Sequence, residues 1–137
     1  MVQPTTPKQL PTALLALRIG VAIMMFPWAI DKLVRPEHAT SVFEHFYFLG
    51  GISGGVILGL AIAQLVIFTG FLIGFARTWT YGAVLAMHAA STLLSWRQYA
   101  SPFEGHNILF FAAWPALGAC IALFLLRSED RLLSVSR

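Results

Sequence analysis

Four long apolar stretches constrain this chain more than any other feature. They cover residues 12–33, 52–75, 79–96 and 107–126. At about 1.5 Å of rise per residue, a helix of this length can cross a hydrocarbon core of about 30 Å. The runs are too long for strands and do not alternate between apolar and polar residues. The sequence therefore predicts an all-α, integral membrane four-helix bundle that forms a single domain over residues 1–137.

Composition supports a membrane environment and excludes several classes of function. Hydrophobic residues make up 58% of the chain and charged residues 11%, whereas charged residues average about 25% in soluble proteins. The nine lysines and arginines are scattered without a basic stripe, so nucleic-acid binding is not expected. The single cysteine, Cys120, cannot form an internal disulfide or a CxxC pair. Redox chemistry would therefore need a cofactor or a partner.

A short amphipathic helix is predicted between the first two stretches, over residues 36–47. Pro36 suits the first turn of a helix. The apolar residues follow at helical spacing and share one face: Ala39, Val42, Phe43 and Phe46. We expect this helix to lie on the outer surface of the membrane that the chain spans.

The distribution of basic residues predicts the orientation. Four spans place both termini and the turn before residue 79 on one side. That side holds the larger basic set, which comprises Lys8, Arg77, Arg127, Arg131 and Arg137, plus Arg18 if it reaches the headgroups. The other side holds Lys32, Arg35 and Arg97. Because basic residues accumulate on the cytoplasmic side, both termini are predicted to be cytoplasmic.

Small residues recur every fourth position along the second stretch. They form a ridge of Gly51, Gly55, Gly59 and Ala63, and Gly70 and Gly74 continue the theme. Such ridges let helices approach closely in lipid. The ridge could pack inside the chain or against another protomer, and the pattern does not distinguish these two arrangements.

Three strongly polar side chains lie well inside the stretches: Arg18, Gln64 and His88. Arg18 could extend to the headgroups or hold an anionic or carbonyl-bearing ligand. Gln64 is typical of a bond to a neighbouring helix. His88 is either a hydrogen-bonded structural group or a proton carrier, because the ordinary pKa of histidine lies near physiological pH. The three could line one internal polar pocket.

The predicted outer end of the bundle carries most of the acids and histidines. Asp31 and Arg35 are four residues apart, which favours an ion pair on a helix. His38 and His45 are separated by about 10.5 Å along a helix, too far to share one ion, so no metal site is expected. The candidate ligand-binding residues are Arg18, Asp31, Lys32, Gln64, His88, Arg97, Tyr99 and His106. No catalytic residue can be assigned.

Several short motifs resemble DoxX-like membrane proteins. The runs Leu17–Gly20 and Trp28–Leu33 are similar to the first helix of that family, in which an arginine opens the span and a polar residue followed by Lys-Leu closes it. The glycine-rich second stretch, the short turn with Arg77 and the closing Arg131–Ser134 are also similar. The segment 95–103 resembles a loop of one small subgroup. Gln64 stands where many members carry a glutamate, which weakens the case for proton binding there.

The resemblance implies a four-helix subunit of a bacterial inner membrane that supports quinone-linked redox chemistry together with a partner oxidoreductase. It implies no intrinsic cofactor, a bound quinone as the ligand, and an accessory subunit rather than a stand-alone enzyme. Two alternatives stay open at this point. One is a non-catalytic membrane module that binds or transports a small apolar ligand. The other is a structural anchor of a larger complex or a homo-oligomer.

Overall fold

The structure is a computed structural model that describes residues 5–47 and 50–135, with the backbone alone at Phe46 and Tyr47. Arg137 and the side chain of Phe46, which entered the predictions above, lie outside the described residues. The helices are α1 (Leu10–Val34), α2 (Pro36–Tyr47), α3 (Gly54–Leu72), α4 (Arg77–Leu94), α5 (Trp96–Ala100), a 3₁₀ helix (Asn107–Ala112) and α6 (Ala113–Leu125). The described ranges contain no strand, as the prediction of an all-α fold requires.

Three helical segments are long and apolar enough to cross a membrane. They are α1, α3 and the continuous segment Asn107–Leu125, which consists of the 3₁₀ helix and α6. These three segments indicate that the protein is a membrane protein. Helix α4, predicted as a fourth span, is not in this set; its 18 residues include Thr78, Thr80, Tyr81 and His88, which make it more polar than the others.

Prolines account for the boundary between α1 and α2. Pro11 lies in the first turn of α1, where its missing N–H is not needed. Helix α1 continues through Pro27 and ends at Val34, and the next residue, Arg35, has a φ of −133° and a ψ of 66°, which are not helical. Arg35 precedes Pro36, and a proline disfavours helical backbone in the residue before it. Helix α2 then begins at Pro36, and its Ala39 is buried.

The connection between α3 and α4 is a tight left-handed turn. Helix α3 starts after Ser53, whose hydroxyl accepts a hydrogen bond from the N–H of Val56 at 3.3 Å. After α3 ends, Gly74 and Ala76 adopt φ values of 68° and 45°, a region that glycine enters without strain. At Gly70, an added Cβ would lie 3.0 Å from the Thr80 side chain. The small residue there lets α3 and α4 approach closely.

The third and fourth predicted spans are less regular than expected. The stretch 79–96 ends at Leu94, and a separate short helix, α5, begins at Trp96. The stretch 107–126 begins as a 3₁₀ helix and becomes α-helical at Ala113. Pro115 therefore lies in the first turn of α6. Because proline has no N–H, the α-helical bond to the carbonyl of Phe111 cannot form, which agrees with the 3₁₀ geometry there.

The long helices pack in a closed cycle. Helix α1 packs against α3, α3 against α4, α4 against α6, and α6 against α1. The core between them is apolar and includes Leu14, Val21, Ala29, Ile57, Phe68, Phe71, Val84 and Leu123. Large apolar side chains also face outward all around this cycle, such as Ile23, Val66 and Leu125. An outward apolar surface of this extent suits contact with lipid.

Candidate functional site

Arg18 is completely buried and is held by the C-terminal segment of its own chain. We call the residues after α6, 126–135, the strap. Arg18 Nη2 donates to the main-chain carbonyl of Leu132 and, at 3.2 Å, to that of Leu133. Its Nη1 donates to the Tyr81 hydroxyl at 3.2 Å and lies 3.5 Å from Asp130 Oδ2. The side chains of Arg18 and Asp130 are both fully shielded from solvent.

Asp130 and Tyr81 complete this buried network. The Tyr81 hydroxyl donates to Asp130 Oδ2 at 2.6 Å, and Tyr81 packs its ring against Phe71 with centroids 4.9 Å apart. A buried charge is tolerated only when it is paired and hydrogen-bonded. Here a carboxylate, a hydroxyl and two main-chain carbonyls together compensate one guanidinium. Both Nη atoms of Arg18 are therefore bonded within its own chain, whereas Arg18 Nε and Asp130 Oδ1 have no hydrogen-bond partner among the described residues.

Further hydrogen bonds attach the strap to α4 and to the residues that follow α3. Arg77 Nη1 donates to the carbonyl of Asp130 at 2.6 Å. The Ser134 hydroxyl donates to the carbonyl of Gly74 at 3.2 Å, and the N–H of Val135 donates to the carbonyl of Ile73 at 2.9 Å. A Cβ at Gly74 would lie 2.3 Å from Ser134 Oγ and 2.7 Å from Arg18 Nη1. Only glycine fits this position without rearrangement.

Gln64 and His88 bond to neighbouring helices. Gln64 Nε2 on α3 lies 3.8 Å from the sulfur of Met87 on α4, so the predicted helix-to-helix bond is confirmed. Buried His88 lies with Nε2 2.9 Å from the carbonyl of Ala113, at the start of α6. The described polar contacts do not join these two residues to Arg18. The shared internal pocket stays a prediction.

Asp31 and Lys32 take part in contacts at the end of α1. Asp31 forms the predicted ion pair with Arg35 at 2.5 Å, and its other oxygen lies 2.6 Å from His38 Nδ1. Lys32 is buried and donates to the carbonyl of Trp28 at 3.0 Å. Both carboxylate oxygens of Asp31 and the ammonium group of Lys32 thus have partners within their own region.

An open cleft of about 540 Å³ lies at the opposite end from the strap. We call it the loop cleft. It is lined by His45, Trp96, Arg97, Gln98, Ala100, Ser101, Glu104, Gly105 and Asn107. Arg97 is exposed and its guanidinium lies 5.6 Å from the ring centroid of Trp96. Gln98 is only 8% exposed, and its Oε1 has no hydrogen-bond partner among the described residues. The loop cleft thus combines a cation, amide groups and an exposed aromatic ring.

Tyr99 and His106 flank the loop cleft without lining it. The Tyr99 hydroxyl donates to the carbonyl of Thr92 at 2.8 Å, and its ring lies 5.4 Å from those of Phe111 and Trp114. Burial raises the pKa of Tyr99, which keeps the hydroxyl a neutral donor. His106 is exposed immediately before the 3₁₀ helix. Tyr99 therefore fastens α5 to α4 and to the last helical segment.

Comparison with known proteins places no relative beside this chain. No family model, no curated protein and no solved structure matches it. Within residues 5–47 and 50–135, no group of three or more histidine, cysteine or acidic side chains is arranged to hold a metal ion.

Three polar residues of these sites did not stand out in the sequence. Tyr81 resembles any aromatic residue near a membrane interface, and Asp130 lies between Glu129 and Arg131 in a charged terminal run. Gln98 lies between Arg97 and Tyr99 in a short polar segment. Each is distinguished only by burial, which the linear pattern of a short polar segment does not reveal.

Proposed function

We propose that this chain is a DoxX-like membrane subunit that supports quinone-linked redox chemistry by a partner oxidoreductase. In this proposal α1, α3, α4 and the segment Asn107–Leu125 all cross the membrane as a four-helix bundle, α2 lies at the outer surface, and the chain termini are cytoplasmic in a bacterial inner membrane. The motif resemblance and the three apolar helical segments support it.

The loop cleft is the observation that carries the proposal. A quinone has an apolar tail and a planar ring with two carbonyl groups. Exposed Trp96 offers a flat apolar surface, and Arg97 offers donors that would stabilise negative charge on a carbonyl oxygen during reduction. Gln98 also belongs to the lining, but its Oε1 is buried, so the contacts proposed for the quinone are those of Trp96 and Arg97. The polar groups inside the helices are less suitable, because Arg18 and His88 already bond to main-chain carbonyls.

The chain would bind and orient the quinone, and the partner enzyme would supply the electrons. Reduction of a quinone to a quinol takes two electrons and two protons. The single buried cysteine cannot deliver two electrons by forming an internal disulfide. In the proposed accessory role, the partner oxidises its own substrate and passes the electrons to the quinone held by this chain.

Extraction of bound lipids from the purified protein tests the proposal. We expect an isoprenoid quinone to copurify, and Arg97→Ala to lower the amount retained. Membranes that lack the protein should reduce quinone more slowly with the partner's substrate. If no quinone is retained and the membranes reduce quinone at the normal rate, the proposal is wrong. Retention of another apolar lipid would instead support a ligand-binding module without redox function.

The small-residue ridge favours a second candidate, a structural anchor in a larger complex. Gly55, Gly59 and Ala63 face outward from α3, and an added Cβ at Gly59 would meet nothing within 4 Å. Their ridge is therefore available to a helix of another protomer or partner. Gly70 and Gly74, in contrast, pack inside the chain.

Leucine substitutions separate the two candidates. If the chain is an anchor, Gly55→Leu with Gly59→Leu should dissociate the complex, as seen by size-exclusion chromatography in detergent. Gly20→Leu is a matched control, because Gly20 is also exposed on a helix and has nothing within 4 Å of its added Cβ. An anchor without ligand function would keep normal activity when Arg97 is replaced by alanine.

A further inference from the structure

A second open cleft lies at the strap end of the molecule, between the first turn of α4 and the beginning of the strap. Its volume is about 620 Å³. Two arginines line it, Arg77 from α4 and Arg127 from the strap, together with the hydroxyl-bearing residues Thr78 and Ser128. We call it the basic cleft. No acidic side chain belongs to its described lining.

The two arginines of the basic cleft have no carboxylate partner among the described residues. Arg77 donates to the main-chain carbonyl of Asp130. Arg127 donates to the Thr78 hydroxyl at 3.2 Å and to the carbonyl of Phe124 at 2.6 Å. These acceptors are neutral, and the Arg127 guanidinium also lies 4.4 Å from the ring centroid of Phe124, so neither positive charge is neutralised by a described carboxylate. A concave surface with charge of one sign attracts the opposite charge.

The acidic side chains of the strap are committed elsewhere. The carboxylate of Asp130 is buried against Arg18 and Tyr81. Glu129 pairs with Arg131 at 3.2 Å. Neither carboxylate is therefore available to neutralise the basic cleft. The N-terminus of α4, with a partial positive charge, and the C-terminus of α6, with a partial negative charge, both lie at this cleft, so the positive potential comes from the two arginines.

The rim of the basic cleft is apolar. Trp79 is 80% exposed and Leu125 is 68% exposed, and both belong to its lining. Leu125 ends α6 and continues the outward apolar surface of the long helices. Tryptophan together with arginine at the end of such a surface is typical of the lipid headgroup layer. A ligand here meets positive charge inside the cleft and apolar surface at its rim.

We propose that the basic cleft binds the phosphate of an anionic phospholipid, with the guanidinium groups of Arg77 and Arg127 on the phosphate and the acyl chains along Trp79 and Leu125. Arginine suits this role because its planar fork of donors matches phosphate oxygens. A free phosphate ion would use the same guanidinium groups but would gain nothing from the apolar rim. The rim favours the lipid.

Lipid association in nanodiscs tests the proposal. The protein is placed in phosphatidylcholine nanodiscs that contain a minor fraction of spin-labelled phosphatidylglycerol, and the relative association of the labelled lipid is measured by electron paramagnetic resonance. Arg127→Gln should lower the association about fivefold, which is the contribution of one arginine near a membrane surface. Adding Arg77→Gln should lower it about fivefold again. Arg131 is a strap arginine outside the cleft that pairs with Glu129. Arg131→Gln should therefore lower the lipid association by less than half as much as Arg127→Gln does.

The controls keep the result interpretable. Arg127→Gln leaves the contact between Arg77 and Asp130 in place, so it tests the site even if the double variant does not fold. An excess of inorganic phosphate should leave the lipid association unchanged. Equal association in the wild type and in Arg127→Gln would overturn the proposal. Displacement of the lipid by inorganic phosphate would also overturn it and assign the cleft to free phosphate.

Discussion

The two ends of this molecule use polar residues in opposite ways. At the strap end, Arg18, Tyr81 and Asp130 are buried and bond to one another and to the strap. At the loop end, Arg97 and Trp96 are exposed along an open cleft. This difference shows that a buried charge in an apolar chain need not belong to a ligand site. Here the deepest charge stabilises the fold, while the shallower polar groups remain accessible to a ligand.

Removing the carboxylate at the strap end should have the largest effect. Asp130→Ala leaves the Arg18 guanidinium buried without its countercharge, and loss of one partner of a buried pair costs about 3–5 kcal/mol. The free energy of unfolding, measured by SDS titration in mixed micelles, should fall by that amount. Glu129→Ala is the matched control, because its ion pair with exposed Arg131 should contribute no more than about 1 kcal/mol. Equal effects of the two variants would contradict the network.

Adding a methyl group at Gly74, in the turn between α3 and α4 that contacts the strap, should be nearly as disruptive. Gly74→Ala forces a side chain into backbone with a φ of 68° and against Ser134 Oγ. Backbone strain and overpacking together should lower the free energy of unfolding by about 3 kcal/mol. Gly59→Ala, on the open face of α3, should be neutral or stabilising by up to about 1 kcal/mol. The same titration measures both, and a neutral Gly74→Ala would show that the strap does not pack there.

Matched tyrosine substitutions compare the two ends directly. Tyr81→Phe removes the hydroxyl between Arg18 and Asp130, and leaving buried charged groups short of one bond should cost about 2 kcal/mol. Tyr99→Phe at the loop end removes one bond, to the carbonyl of Thr92, and should cost about 1 kcal/mol. A larger effect at Tyr99 than at Tyr81 would reverse the ranking of the two ends.

The smallest effect on stability is expected in the loop cleft. Arg97→Ala changes an exposed side chain, so the free energy of unfolding should move by no more than about 0.5 kcal/mol. Its effect should appear instead in quinone retention. If Arg97→Ala instead lowers the free energy of unfolding strongly and retains the quinone, Arg97 stabilises the fold and does not bind the ligand.

The sequence predicts the helices better than it predicts their polar partners. The first stretch was expected over residues 12–33, and α1 spans Leu10–Val34, because an apolar run of that length has one stable conformation in lipid. The 3₁₀ geometry after Asn107 and the break at Ser95 depend on local packing and were not predictable. Ion pairing at Asp31 follows from a spacing of four residues, and that prediction is confirmed.

Contacts between distant parts of the chain could not be predicted. Arg18 was visible as a charge inside an apolar stretch, but its partners Tyr81 and Leu132 are 63 and 114 residues away in the chain. No periodic pattern connects such positions. The outward direction of Gly59 was equally hidden, because a ridge of small residues looks the same whether it packs inside or outside. Only the arrangement of the helices decides these questions.

Photolabelling with an azido-quinone distinguishes a ligand site in the loop cleft from one at the buried polar groups inside the helices. The purified protein in nanodiscs is irradiated with the azido-quinone, and the labelled peptides are identified by mass spectrometry. We expect the label within residues 96–107, and we expect Arg97→Ala to reduce it. Labelling concentrated around Arg18 or His88, and unchanged in Arg97→Ala, would contradict the account.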